Sequence, residues 1–288
     1  MNKFILGTVQ MGLNYGVNNY SGKISFADSC EILTKAYEQG IKVLDTAEAY
    51  GNAHEVIGDF HKLHSSVKFK VITKIPHGVP FEEITERVKR YCQDLNVENL
   101  EVLMFHSYES YLQNKHNLTA LEELQKKGLI KNIGVSVYTN EQIKELLNDN
   151  KISVVQLPFN MLDNETLRGE YISLLKEKGK IVHTRSAFLQ GLFFKEAVEG
   201  NETYRALSDE IDMIKNIAKK ENTTVTNLAL SYCLSQQNID NVLIGVDSVI
   251  QLEENIKAVN CLVTEEALVK INEIKVENTD LLNPSLWK

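Results

Sequence analysis

Four polar residues stand at or just beyond the ends of short apolar runs: Asp45 and Tyr50 in Leu44-Asp-Thr-Ala-Glu-Ala-Tyr-Gly51, Lys74 closing Val71-Ile-Thr-Lys74, and His106 after Leu100–Phe105. Each residue alone has an ordinary structural explanation, as a turn former, packing residue, snorkelling cation or core histidine. Together they form a proton-transfer set. A lysine ammonium beside a phenol favours phenolate and lowers the tyrosine pKa from about 10. A carboxylate beside the lysine keeps it charged and aimed. The tyrosine then serves as a proton donor or acceptor, and a neutral histidine orients a carbonyl oxygen. Such a set protonates an oxyanion as hydride arrives, or runs the reverse, and it needs a cofactor as its reductant.

Convergence of these residues requires elements that end at one mouth. Short β-rich apolar runs begin at Phe4, Ile41, Lys70, Leu100, Ile130, Ile152, Lys180 and Asn241, with segments of helical period between them. Several runs are apolar on both faces, as strands covered by helices are. Helix starts are expected at Asn52 with Glu55, Thr139 with Gln142 and Ser248 with Gln251, and a stop at Gly128. One helix should bury Phe81, Ile84, Val88, Tyr91 and Leu95; another should carry a stripe of Leu252, Ile256 and Val259. The pattern predicts a single-domain α/β fold, a (β/α)8 TIM barrel over residues 1–288 with 276–288 as a C-terminal tail. A doubly wound sheet with a small second domain would advertise a Gly-rich phosphate loop, and no Gly-x-Gly occurs.

The 288 residues carry a net charge of −8, with 43 % hydrophobic and 24 % charged side chains. A mildly acidic chain without a basic block is not expected to bind nucleic acid. No run of about 18 apolar residues occurs, so neither membrane insertion nor a signal peptide is expected. Cys30, Cys92, Cys233 and Cys261 have wide spacings and read as free thiols of a cytoplasmic protein. His54, His61 and His64 share one helical segment but lack metal-ligand support, so they read as solvated surface residues and no metal is expected.

These motifs resemble the aldo-keto reductase superfamily over most of the chain. "LDTAEAYG" matches its LDTAxxYG signature, with Lys74 in "VITKIP" and His106 in "LEVLMFHS" in register. "GLIKNIGVS", "VVQLPFN", "FLQGL" and "QLEENIKA" resemble further family segments in the same order. The resemblance implies NAD(P)H-dependent reduction of an aldehyde or ketone, or the reverse oxidation of an alcohol. Tyr50 would be the general acid, Lys74 would lower its pKa, Asp45 would pair with Lys74, and His106 would orient the carbonyl. The implied cofactor contacts are Gly7 and Thr8, Ser136 and Gln156 at the carboxamide, and Arg185 where an aromatic usually stacks on the nicotinamide. Ser186, Phe188 and Gln190 would follow along the pyrophosphate, and Gly245, Glu254 and Asn255 at the adenine end. NADP(H) is the family's usual cofactor. NAD(H) is the alternative, because residues 244–255 contain no Lys or Arg and Asp247 would repel a 2′-phosphate.

The usual Ser-Asn after strand five is Ser136-Val137 here, which removes one implied carboxamide contact. The amino-terminal "LGTVQMGLNYGVNN" resembles a subgroup often encoded with surface-polysaccharide or sugar-nucleotide enzymes, which implies a sugar-like carbonyl or polyol substrate. A monomer or weak homodimer is expected. Pro158-Phe159-Asn160 and the segment 188–204 are expected to loop over the cofactor, and Trp287 in the tail either covers the pocket or lies on the surface. Two other readings use the same residues: a Schiff-base lyase on Lys74, and a non-catalytic cofactor-binding regulator.

Overall fold

The computed structural model describes residues 3–16, 19, 22–195, 202–261 and 263–287. Eight strands, β1 (Phe4–Gly7), β2 (Val43–Asp45), β3 (Lys70–Ile75), β4 (Leu100–Phe105), β5 (Ile130–Ser136), β6 (Val154–Pro158), β7 (Ile181–Arg185) and β8 (Asn241–Ile244), close into one barrel in chain order. Every pairing is parallel, and β1 meets β8 through Phe4↔Val242 and Leu6↔Ile244. Helices lie between successive strands and cover them from outside. The (β/α)8 expectation therefore holds.

Strand period explains why the polar residues meet. Ile5, Ile72, Val102, Met104 and Val154 form an apolar cluster inside the barrel, with Val43, Ile181 and Leu243 packed against it. Side chains two residues on share the same face. Gly7, Asp45, Lys74, His106, Gln156, His183 and Gly245 thus stand one layer above that apolar plug, at the carboxyl ends of the strands. The larger core lies between strands and helices, where Leu33, Leu44, Phe60, Val88, Phe105, Leu157 and Phe193 are buried.

Several boundaries shift for one reason. The strands expected from Ile41, Ile152 and Lys180 begin two, two and one residues later. The amides of Ile41, Ile152 and Lys180 bond back to Ala36, Asp149 and Leu175, closing the preceding helix or turn instead of the sheet ladder. Gly128 follows the helix Leu118–Lys126 as expected. Thr139 and Gln142 form a full capping box, and Ser248 accepts from the Gln251 amide. Asn52 precedes the helix Ala53–Leu63 but makes no cap bond; its side chain accepts from Lys23 instead.

Other expectations are corrected by packing. Phe81 is 53 % exposed at the first turn of the helix Phe81–Asp94, whose buried stripe of Ile84, Val88 and Tyr91 continues to Leu95 just past its end. Val259 is exposed because the helix Val249–Lys257 ends before it. His54 and His61 are buried, not solvated: His54 bonds Thr73 Oγ1 at 2.7 Å, and His61 bridges the Leu95 carbonyl and the Phe69 amide. His64 is half-buried and stacks on Phe60. All four cysteines are free thiols. No helix among the described residues is long and apolar enough to cross a membrane, and no cluster of three metal-ligating side chains occurs among them.

The carboxy-terminal segment is tied to the barrel by a buried amide. Asn164 Nδ2 donates to the carbonyls of Ile271 and Ile274 at 3.0 and 2.9 Å. Replacing Asn164 by Ala leaves both acceptors without that donor, and we expect a loss of about 1–3 kcal/mol. The midpoint of urea unfolding measures it, and an unchanged midpoint removes this anchor.

Candidate active site

Asp45, Tyr50, Lys74 and His106 line one cavity of about 890 Å3 at the barrel mouth. Lys74 is buried and donates to Asp45 Oδ1 and, at 3.1 Å, to the Thr46 carbonyl. The second Asp45 oxygen accepts from Gln156 Nε2 at 2.9 Å. The Lys74 nitrogen lies 5.2 Å from the centre of the Tyr50 ring, and the rings of Tyr50 and His106 meet edge to face at 5.8 Å.

The electrostatics follow from these contacts. Burial alone would drive the Lys74 pKa down; the Asp45 carboxylate and the Tyr50 oxygen together outweigh it and hold the ammonium above its ordinary value. Exclusion of water around Tyr50 raises its pKa, and Lys74 offsets this only in part, so the phenol sits above its usual range rather than below it. The lowering expected from the lysine is present but loses to desolvation. Burial pushes His106 down to about 4, with the Lys74 charge adding to the effect, so its imidazole is neutral at neutral pH.

Tyr50 is not on a strand, and its turn is held from several sides. The Glu48 amide bonds the Lys74 carbonyl at 3.2 Å. Its carboxylate accepts two bonds from Arg87 Nη1, at 2.6 and 2.8 Å, and one from the Tyr91 hydroxyl, both on the helix Phe81–Asp94. From the other side Gly12 packs so closely that an added Cβ would lie 1.8 Å from the Tyr50 carbonyl oxygen. Gly51 takes φ +55, with its own Cβ position 2.4 Å from the Gly12 carbonyl oxygen. The turn is trapped between two backbones and an ionic clamp.

The remaining expected residues border the same cavity. Gly7 ends β1, and the Thr8 hydroxyl is committed to the Asp45 carbonyl at 3.0 Å. Ser136 and Gln156 are paired neighbours at the ends of β5 and β6. Ser186 has φ +63, and its carbonyl accepts from Asn160. Phe188 is half-buried, and Gln190 donates to the Tyr15 hydroxyl at 2.9 Å across the mouth. Gly245, Glu254 and Asn255 line the far end. Arg185 lies with its guanidinium carbon 4.0 Å from the Tyr138 ring centre.

Phe159 and Asn160 do not cover the cavity; both are buried, with Phe159 stacked on Tyr232. Of the segment 188–204, residues 196–201 lie outside the described residues. Trp287 does not line the cavity either. Its indole N–H donates to the Leu281 carbonyl, while Asn283–Leu286 border the opening. The sequence reading missed Gln10, Tyr15, Tyr138 and Gln251 as cavity residues. Thr139 and Gln142 signalled a helix start there, but nothing signalled which way Tyr138 turns.

A cofactor fits this wall. Gln10 Oε1 and Asp247 Oδ1 are buried without a hydrogen-bond partner among the described residues, and both residues face the cavity. Two orphaned acceptors suit ligand hydroxyl or amino donors.

An eight-stranded parallel barrel with a buried Asp–Lys pair, a tyrosine and a neutral histidine at its mouth defines a carbonyl oxidoreductase of the barrel type. The chain belongs to the aldo/keto reductase family, whose sequence model matches residues 3–276. It is an NAD(P)-dependent oxidoreductase acting on carbonyl or CH–OH groups. It is similar to the uncharacterized oxidoreductase YqkF of Bacillus subtilis, at 26 % identity over 93 % of this chain and 94 % of that one. It is also similar to the NADH-specific methylglyoxal reductase of Escherichia coli, at 22 % identity over 88 % and 89 %. In three dimensions it resembles aldo-keto reductase AKR11C1 from Bacillus halodurans in its holo form, with TM-score 0.79 and 22 % identity over 96 % and 94 % of the two chains.

Glu48→Ala frees the turn that carries Tyr50, and displacement on the order of 1 Å costs about a hundredfold in rate. We expect kcat to fall by roughly ten- to a hundredfold while cofactor affinity stays within about twofold. Steady-state kinetics with cofactor titration checks this, and an equal loss in both quantities would mean general disruption instead.

Proposed function

We propose that this protein reduces the carbonyl of a small polar, sugar-like aldehyde or ketone, with Tyr50 as the proton donor. The observation that carries the reading is the buried Lys74–Asp45 pair beside a protonated Tyr50 and a neutral His106. The nicotinamide supplies the hydride. His106 orients the carbonyl oxygen by a hydrogen bond, and Tyr50 donates its proton to that oxygen. Lys74 stabilises the phenolate left behind, and Asp45, held by Gln156, keeps Lys74 charged and aimed. The same pairing argues against a Schiff base on Lys74, since a protonated amine is no nucleophile. The cavity also carries His77, Ser107, Glu109, Thr139 and Gln142, which suit a hydroxylated substrate better than an aromatic one.

On this reading Ser136 and Gln156 would hold the carboxamide, with Gln156 Nε2 spent on Asp45 and its oxygen left to accept. Arg185 would border the nicotinamide, and Gly7, Thr8, Ser186, Phe188 and Gln190 would line the middle of the cofactor. Gly245, Asp247, Glu254 and Asn255 would take the adenosine. We assign NADH as the preferred form. Asp247 is half-buried with one orphaned oxygen, which suits a ribose hydroxyl and opposes a 2′-phosphate. The name of the Escherichia coli relative, an NADH-specific reductase, points the same way.

Two measurements test this reading. Tyr50→Phe should lose at least about a thousandfold in reduction of sugar-derived aldehydes while binding cofactor normally; retained turnover removes Tyr50 from the role. Wild-type protein should bind NADH at least about tenfold more tightly than NADPH, with Asp247→Lys narrowing the gap. Tenfold tighter NADPH binding would sink the NADH assignment, and turnover confined to aromatic aldehydes would sink the sugar-like substrate.

A further inference from the structure

Among the described residues, the cations around the mouth are paired or neutralised with one exception. Lys74 is paired with Asp45. His106 and His183 are neutral, each pushed by burial down to about 4. Arg168, behind the mouth, is paired with the buried Asp163. Arg185, half-buried at the end of β7, forms no ion pair among the described residues. Its guanidinium donates to the Val137 carbonyl at 3.1 Å and to Ser186 Oγ at 3.4 Å. Its charge is felt by the buried Asp163, but that carboxylate is already paired with Arg168, and Glu109 on the cavity wall is exposed and therefore screened by water.

This cation is also immobile. One contact is the Tyr138 ring, 4.0 Å from the guanidinium carbon. Tyr138 is held in turn by Arg168, which donates to its carbonyl at 2.7 Å and to Asn140 Oδ1 at 2.7 Å. A buried ion pair, a backbone carbonyl and an aromatic plate thus fix a full positive charge on the wall of the cavity. The charge already reaches the proton-transfer set, since it lowers the pKa of both Tyr50 and His106.

We propose that Arg185 biases the bound nicotinamide couple toward its reduced form, so that this protein holds NAD(P)H more tightly than NAD(P)+. The inference rests on the carbonyl-reductase reading given above. Hydride transfer needs reacting atoms about 3–3.5 Å apart. A ring that delivers to a carbonyl held by Tyr50 and His106 therefore lies beside groups that Arg185 already perturbs. Reduction moves one hydride to the carbonyl carbon and the Tyr50 proton to its oxygen, and leaves a positive charge on the ring. A fixed cation in a partly dehydrated cavity repels that charge and is indifferent to the neutral reduced ring. The oxidised product is then held more weakly, which speeds its release. A tenfold affinity ratio corresponds to a rise of about 30 mV in the midpoint potential of the bound two-electron couple.

Calorimetric titration of wild type with NADH and with NAD+ tests this without any carbonyl substrate; NADPH and NADP+ replace them if NADPH binds more tightly. Adenosine and pyrophosphate contacts are common to both forms and cancel in the ratio. We expect wild type to favour the reduced form at least about tenfold, and Arg185→Met to bring the ratio toward one, chiefly by tightening NAD+. Arg185→Gln, neutral but able to keep the bond to Val137, should behave like Arg185→Met and covers the case in which that variant fails to fold. Arg185→Lys should keep most of the preference. A wild-type ratio near one, or a ratio unchanged within about twofold in the neutral variants, overturns the inference. Failure of the reductase reading is separate: it would show as turnover retained in Tyr50→Phe, or as no binding of either form.

Discussion

The ion pair between Lys74 and Asp45 is the constraint around which the rest of the barrel mouth is arranged. An ammonium and a carboxylate taken out of water pay several kcal/mol each, on the order of what their mutual attraction returns. Such a pair persists only when the remaining hydrogen-bonding capacity is also used. Here Asp45 spends one oxygen on Lys74 and the other on Gln156, and Lys74 adds the Thr46 carbonyl. These groups come from β2, β3 and β6, so three strands must end at the same height. The closed parallel barrel provides that height through its period of two, because Val43, Ile72 and Val154 lie directly below as apolar floor. Stability and site geometry thus depend on one interaction.

Tyr50 shows what the strands alone do not supply. It sits five residues beyond Asp45, on a turn whose backbone is pinned by Gly12 from one side and by Glu48, Arg87 and Tyr91 from the other. His54, in the helix that follows the turn, bonds Thr73, the residue before Lys74. The turn that delivers the phenol and the strand that delivers the ammonium are therefore joined outside the barrel as well as inside. Burial of His54, which looked solvated from composition, is a consequence of this second junction.

The fold was legible because it is written in short-range periodicity: eight apolar runs, several of them two-faced, separated by helical patterns. Strand ends were less legible, since whether the Ile41 or Lys180 amide joins the sheet or closes the helix before it depends on a glycine in a positive-φ turn, not on hydrophobicity. The convergence of Asp45, Tyr50, Lys74 and His106 on one cavity was legible because each stands at a fixed offset from a strand. Tyr138, Gln10 and the Glu48 clamp were not, because their roles arise from contacts across long sequence separation. Glu48 meets Arg87 at a separation of 39 residues. Arg185 rests on Tyr138 only because β5 and β7 flank β6 in the closed sheet.

The cavity is electrically asymmetric, and the asymmetry matches the direction assigned to the chemistry. One end carries Asp247 and Glu254 and two orphaned acceptors, a surface that favours hydroxyl donors over phosphate. The other end carries Arg185, which forms no ion pair among the described residues. Between them Tyr50 is held above its ordinary pKa, because desolvation outweighs the neighbouring ammonium. On the proposed reading, a phenol in that condition would enter each cycle protonated, ready to give a proton. Lys74 would then contribute most after the proton has gone, when a phenolate replaces a neutral ring beside it. The stabilisation is thus larger along the reaction coordinate than in the resting site, which is the condition for an electrostatic contact to accelerate a step and not merely tighten binding.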